Sequence, residues 1–287
     1  MASASAFTIN VAVVSASYLG LWGTTIKDVS GSIPTLTTPA GYAFSIWAVI
    51  FAGETALVIW QALPRNAGNP AVKDGLQLYF AGACVLQAIW SILVAQGERR
   101  QAMWMLIHAV ACLGKVNVNL ARFRLRDATW VEHLLLHVPI GLHAGWAGAN
   151  LVFNINLVAA QYAGTAAQVR AAFATVCVAG VAAGVFGFML LDTAYVAAVV
   201  WALASIVADN NAYRDKLLGK DVAEGFTGAI TTICIVLGAV QGLIVFHQRV
   251  LKPWLPRLLM RMCGAGGLPY PVPPRSCAVC GCAQEGG

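Results

Sequence analysis

The feature that most constrains this chain is a series of apolar stretches, each too long for a soluble fold to bury. They fall near 7–24, 42–63, 76–97, 101–121, 131–158, 167–190, 192–208 and 223–247. About 20 apolar residues carry a helix across the hydrocarbon core of a bilayer. Only 10% of the residues are charged and 59% are hydrophobic, whereas a soluble domain carries about 25% charged residues. Polar groups this sparse cannot cover the apolar surface in water. No stretch alternates with period two and each is too long for a barrel strand, so every span reads as helix. The fourth holds Lys115, Asn117 and Asn119, and the seventh is short, so the sequence predicts six to eight spans. The fold class is an all-α integral membrane protein. Small residues, as in "GVAAGVFGF" (180–188), let helices approach closely where lipid supplies no hydrophobic drive.

The net charge of +6 is not a nucleic-acid signature, because no basic patch interleaves with aromatics outside the spans. Arg249, Lys252, Arg257, Arg261 and Arg275 weight one side of the membrane. With eight spans, the positive-inside rule then places both termini on the cytosolic side. "MASASAFTINVAVV" has no basic stretch ahead of its apolar run, so 7–24 reads as a retained helix. No organelle signal is evident.

The chain divides into residues 1–162, with five spans and most of the tryptophans; 163–248, with three Ala/Val-rich spans; and a tail, 249–287. In the tail, "PWLPRLLMRM" (253–262) has the character of an interfacial helix, and "GLPYPVPPR" (267–275) is too proline-rich for regular structure. "CAVCGC" (277–282) contains a Cys-x-x-Cys whose thiols read as free or acylated before metal-bound. Cys84, Cys112, Cys177 and Cys234 lie singly in spans as small packing residues.

Ionisable residues within spans normally have partners. Glu54 and Lys115 could pair, Lys115 could instead snorkel to the interface, or either could serve a ligand or a proton path. His133 and His137 share a helix face beside Glu132, a metal-compatible spacing, but no carboxylate cluster completes a site and no metal is expected. Arg122, Arg124 and Arg126 read as a positive anchor or an anion site; Asp192 and Asp209 read as helix-end residues. No nucleophile elbow, phosphate loop or paired-carboxylate site is visible, so no enzymatic activity is expected.

"TPAGYAFSIWAVIF" (38–51) joins a Pro39–Gly41 hinge to Tyr42, Phe44 and Trp47. An aromatic belt accounts for such residues, but a belt needs no hinge, so the cluster also reads as one wall of a pocket. "LQAIWS" (86–91) sets Gln87 within a turn of Trp90, and "HVPIGLHAGWAGANLVFNINL" (137–157) carries His143, Trp146 and Asn154. These aromatics would be walls, with Gln87, His143 and Asn154 as polar anchors.

Over roughly 7–162 these motifs resemble the tryptophan-rich sensory protein, or translocator protein, family (TspO/MBR). Its second helix opens on a Pro-Gly-aromatic turn running into Phe-x-x-Trp, matched by Pro39, Gly41, Tyr42, Phe44 and Trp47. Its third carries Leu-Asn-x-x-Trp-Ser, matched by Leu86, Gln87, Trp90 and Ser91; its fifth starts Val-Pro and runs to an Asn, matched by Val138, Pro139, Trp146 and Asn154. The chain departs at Gln87 (Asn in the family), Ala40 (Pro) and His143 (Tyr or Trp), and no sterol motif follows the fifth span. "DTAYVAAVVWALASI" (192–206) is similar to the last helices of longer members.

The resemblance implies a five-helix bundle plus about three additional transmembrane helices, with a pocket beneath the loop joining the first two helices. It implies a hydrophobic planar ligand, a tetrapyrrole such as protoporphyrin before a sterol, held by Pro39, Gly41, Tyr42, Phe44, Trp47, Gln87, Trp90, His143, Trp146 and Asn154. A porphyrin or haem-like molecule would be ligand rather than obligatory cofactor. Many members are dimers. A receptor, carrier or stress-signalling protein is the leading expectation. A structural subunit of a larger membrane complex, or a small-molecule transporter using Glu54, Lys115 and His143, are the alternatives.

Overall fold

The computed structural model describes residues 2–66, 68–125 and 129–248. The tail motifs and Arg126 lie outside them. Helices occupy all eight apolar stretches, and no strand occurs among the described residues. In order these are α1 (Ala2–Tyr18), short α2 (Ile26–Ser32), α3 (Ile46–Ala62), α4 (Gln77–Ala95), α5 (Arg99–Leu125), one-turn α6 (Trp130–Glu132), α7 (Val138–Tyr162), α8 (Thr165–Leu190), α9 (Thr193–Ala208), short α10 (Ala212–Leu218) and α11 (Lys220–Phe246). The protein is a multi-pass, all-helical membrane protein.

The first helix ends at Tyr18, six residues before the apolar stretch does. Gly20 and Gly23 follow with positive φ and turn the chain. A Cβ on Gly23 would lie 2.6 Å from the Ala95 carbonyl oxygen, and Thr24 N–H donates to that carbonyl at 3.0 Å. The turn is thereby docked on the end of α4, which aims α2 across it.

Five helical segments are long and apolar enough to cross a membrane: Gly41–Ala62, Leu78–Ala95, Arg99–Arg124, Thr165–Leu190 and Lys220–Phe246. A sixth span is formed if α9 and α10, bent by 76° at their junction, count as one. Helix α7 spans 25 residues, about 37 Å at 1.5 Å per residue. It is less apolar because it holds His143, Asn150, Asn154 and Asn156, all buried. A helix enclosed by other helices meets protein on most sides, so it can carry polar groups that a lipid-facing helix cannot.

Helix α7 is the hub, packing on α3, α5, α8 and α9. Gly141 and Gly145 lie one helical turn apart on its α9 face. A Cβ on Gly141 would lie 2.6 Å from Asp192 Oδ1, and one on Gly145 would collide with the Tyr195 carbonyl. Gly180 and Gly187 of α8 do the same against Ile233 of α11 and Val196 of α9. These glycines thus mark where the helices pack closely. Residues 1–245 form one compact unit.

Arg124 is engaged inside the bundle. Its Nη2 lies 2.9 Å from Asp192 Oδ2, both side chains 3% exposed. Nη1 donates to the Leu190 carbonyl at 2.8 Å, and Asp192 Oδ1 caps α9 by accepting from Tyr195 N–H at 3.0 Å. This bridge ties α5 to the α8–α9 corner. Asp192 is a helix-end residue, as its position suggests, and also the counter-ion of Arg124.

Candidate functional site

Between α2 and α3 the chain crosses the helix ends as "IPTLTTPAGYAFS" (33–45). Pro34 and Pro39 deny it helix, and its threonines fold it on themselves. Thr35 N–H donates to Thr38 Oγ1 at 2.9 Å, Thr38 Oγ1 donates back to the Thr35 carbonyl at 3.2 Å, and Thr37 N–H donates to Thr35 Oγ1 at 3.3 Å. Such local bonds stabilise turns over regular elements. Leu36 points into the bundle at 2% exposure. The chain then re-enters helix through a 3₁₀ turn, Gly41–Ser45.

Beneath this roof lies a cleft. Its walls are Phe44, Trp90, Val94 and Phe153; its polar lining is Thr35, Thr37, Thr38, Asn150 and Asn154. Trp90 Nε1 donates to Asn154 Oδ1 at 3.1 Å, and Asn154 Nδ2 donates to the Asn150 carbonyl at 2.9 Å. The cleft's cavity volume is about 30 Å³, room for one or two waters. Ligand pockets run to about 300–1,000 Å³, so the cleft is closed.

The ten site residues taken from the sequence separate into three groups. Pro39, Phe44, Trp90 and Asn154 line the cleft. Trp47, His143 and Trp146 sit together in the sealed interior. The Trp47 ring stacks on Phe51 with centroids 5.2 Å apart and meets His143 and Trp146 edge-on at 5.6 and 6.2 Å. Phe44 joins the two groups, lying 6.0 Å from Trp146. Gly41, Tyr42 and Gln87 lie elsewhere. Gly41 is exposed, as is Tyr42, whose ring packs against Trp201 at 5.3 Å. Gln87 accepts from Asn10 of α1 at 3.1 Å.

The sealed interior also answers the Glu54 question. His143 Nδ1 lies 2.7 Å from Glu54 Oε1, with side-chain exposures of 1% and 0%. Lys115 is exposed on α5, so the Glu54–Lys115 pair is not formed. Among the described residues, Glu54 Oε2 has no hydrogen-bond partner. The His133 and His137 rings lie 6.1 Å apart. Among the described residues no three His, Cys, Asp or Glu side chains come together to hold a metal ion.

Sequence reading missed the threonines and Asn150. "TLTT" (35–38) between two prolines was the available signal.

A helical bundle with several membrane-length apolar helices and a roofed cleft at one end of its central helices is that of a multi-pass membrane protein. The chain belongs to the TSPO-like family: the family model described as TSPO-like protein matches residues 1–247. The match runs through α11, so the helices beyond α7 are part of the family unit. No curated protein and no solved structure matches the chain.

Proposed function

We propose that the protein binds a flat, largely hydrophobic ligand, a tetrapyrrole before a sterol, in the cleft beneath residues 33–45. It would act as a receptor, carrier or stress-signalling protein rather than an enzyme. The observation that carries this reading is the composition of the cleft: three aromatic side chains, Phe44, Trp90 and Phe153, beside a band of neutral hydroxyls and amides at Thr37, Thr38, Asn150 and Asn154. Aromatic faces suit a planar macrocycle, and a few fixed polar groups set its orientation. Among the described residues no Lys or Arg lines the cleft, so charged ligand substituents would sit at its mouth and the ring inside.

The test is a protoporphyrin titration of the detergent-purified protein, read by the shift of the porphyrin absorption band. Saturable binding near micromolar, about −8 kcal/mol, is expected. Trp90→Leu should weaken it at least tenfold, a loss of about 1.4 kcal/mol. Trp47→Leu, altering the sealed interior, should leave the affinity of the folded protein within about threefold. Unsaturable binding, or binding indifferent to Trp90→Leu, would overturn the reading in favour of a structural subunit of a membrane complex.

A further inference from the structure

We infer that the α9–α10 corner, an element beyond the five-helix core, latches the cleft shut, and that Asn211 and Arg214 set how fast a ligand enters. The inference rests on the cleft being the ligand site, and its test separates the two.

The roof is held from one direction. Asn211 Nδ2 donates to the Thr35 carbonyl at 2.8 Å, and Arg214 Nε donates to the Leu36 carbonyl at 3.1 Å. At the roof's other end, Ala40 N–H donates to the Ser205 carbonyl at 3.0 Å, and Trp201 Nε1 donates to the Ala43 carbonyl at 3.0 Å. All four partners belong to residues 201–214 and grip the roof at Thr35–Leu36 and again at Ala40 and Ala43. The threonine bonds, by contrast, are internal to the roof, so it can move as one piece.

The latch is itself well placed. Arg214 is 3% exposed, and its Nη2 donates to the Ile206 carbonyl at 3.0 Å, so one guanidinium spans the end of α9 and the roof. Asn211 works at both ends of its carboxamide. Its Oδ1 caps α10 by accepting from Arg214 N–H at 3.1 Å, while its Nδ2 holds the roof. Lifting the Thr35–Leu36 end of the roof therefore requires release of the Asn211 and Arg214 bonds and withdrawal of Leu36 from its buried seat. The closed volume means that no planar ligand of tetrapyrrole size enters without that motion.

Asn211→Asp isolates the latch. The carboxylate keeps the α10 cap, since it still accepts from Arg214 N–H, but no longer donates to Thr35. Arg214→Lys is the second variant; it keeps the charge and loses the two-carbonyl grip. Each is combined with Thr37→Cys, a position fully buried on the cleft lining, and labelled with a maleimide in the full-length protein. The buried native Cys84 reports any general loosening. Labelling of Thr37→Cys should accelerate about fivefold in Asn211→Asp, the factor that one net hydrogen bond contributes, with Cys84 unchanged. The protoporphyrin association rate should rise in parallel. An unchanged Thr37→Cys rate in both variants, or an equal rise at Cys84, overturns the latch. Faster labelling without porphyrin binding in any variant supports the latch and overturns the tetrapyrrole reading instead.

Discussion

The interior around Trp47 and the cleft around Trp90 are built from the same materials and differ in what closes them. Each has large aromatics beside polar side chains. In the interior, Trp47, Phe51, His143 and Trp146 close on one another, and Glu54 meets His143 inside the bundle. In the cleft, Trp90 and Phe153 face a covering loop that itself carries Phe44 and is held by Asn211, Arg214 and α9. Aromatic density therefore does not locate a binding site in a tryptophan-rich membrane protein. What sets the cleft apart is an aromatic wall whose opposite side is loop rather than helix.

The largest effect that separates the two regions is on stability. Trp146 is fully buried at the contact of α3 with α7. Trp146→Ala should cost about 3–5 kcal/mol, seen as a lowered melting temperature in detergent. Protoporphyrin affinity of the remaining folded protein should change far less than in Trp90→Leu. If Trp146→Ala abolished binding while the protein stayed folded, the interior would be the site and the comparison would fail.

The Glu54–His143 pair gives the next effect. Glu54→Leu strands His143 Nδ1 without its partner, at about 1–3 kcal/mol for an unsatisfied buried group. Glu54→Gln keeps a hydrogen bond and should recover most of that. A transporter that used the pair as a proton path would instead lose flux in Glu54→Gln while keeping its stability. Thermal melts of both variants, with uptake into liposomes alongside, distinguish the two. Equal destabilisation by Leu and Gln would show that the charge itself, rather than the hydrogen bond, holds the helices.

Much of the fold was legible because bilayer length and apolar runs speak directly to helices. All eight positions were marked by the sequence, and the small residues of α8 marked close contacts. Helix α1 ended early because Gly20 and Gly23 turn the chain while Leu19, Leu21 and Trp22 prolong the apolar run; apolarity cannot register a backbone turn. The site was less legible. Pro39, Phe44, Trp90 and Asn154 meet in the cleft, but Trp47 lies three residues beyond Phe44 on a helix that turns it inward. One-dimensional motifs carry no facing information across a change from 3₁₀ turn to α-helix. The partners of Glu54 and Arg124 were out of reach for a related reason. His143 is 89 positions from Glu54 and Asp192 is 68 from Arg124, and only the packing of α7 on α3 and of α5 against the α8–α9 corner brings them together.

The smallest expected effect tests the edge of the comparison. Tyr42 heads the aromatic motif in sequence, but it is 48% exposed and packs edge-on against Trp201 outside the cleft. Tyr42→Leu removes one aromatic pair, worth about 0.5–1.5 kcal/mol, and exposure places the cost at the lower end. Trp201 keeps its hydrogen bond to the Ala43 carbonyl, so the roof stays held and protoporphyrin affinity should not move. A melting-temperature shift of a few degrees with unchanged binding fits a surface aromatic at the interface. A tenfold loss of binding would mean that Tyr42 swings into the cleft when the roof lifts, and the open site would then extend over Trp201.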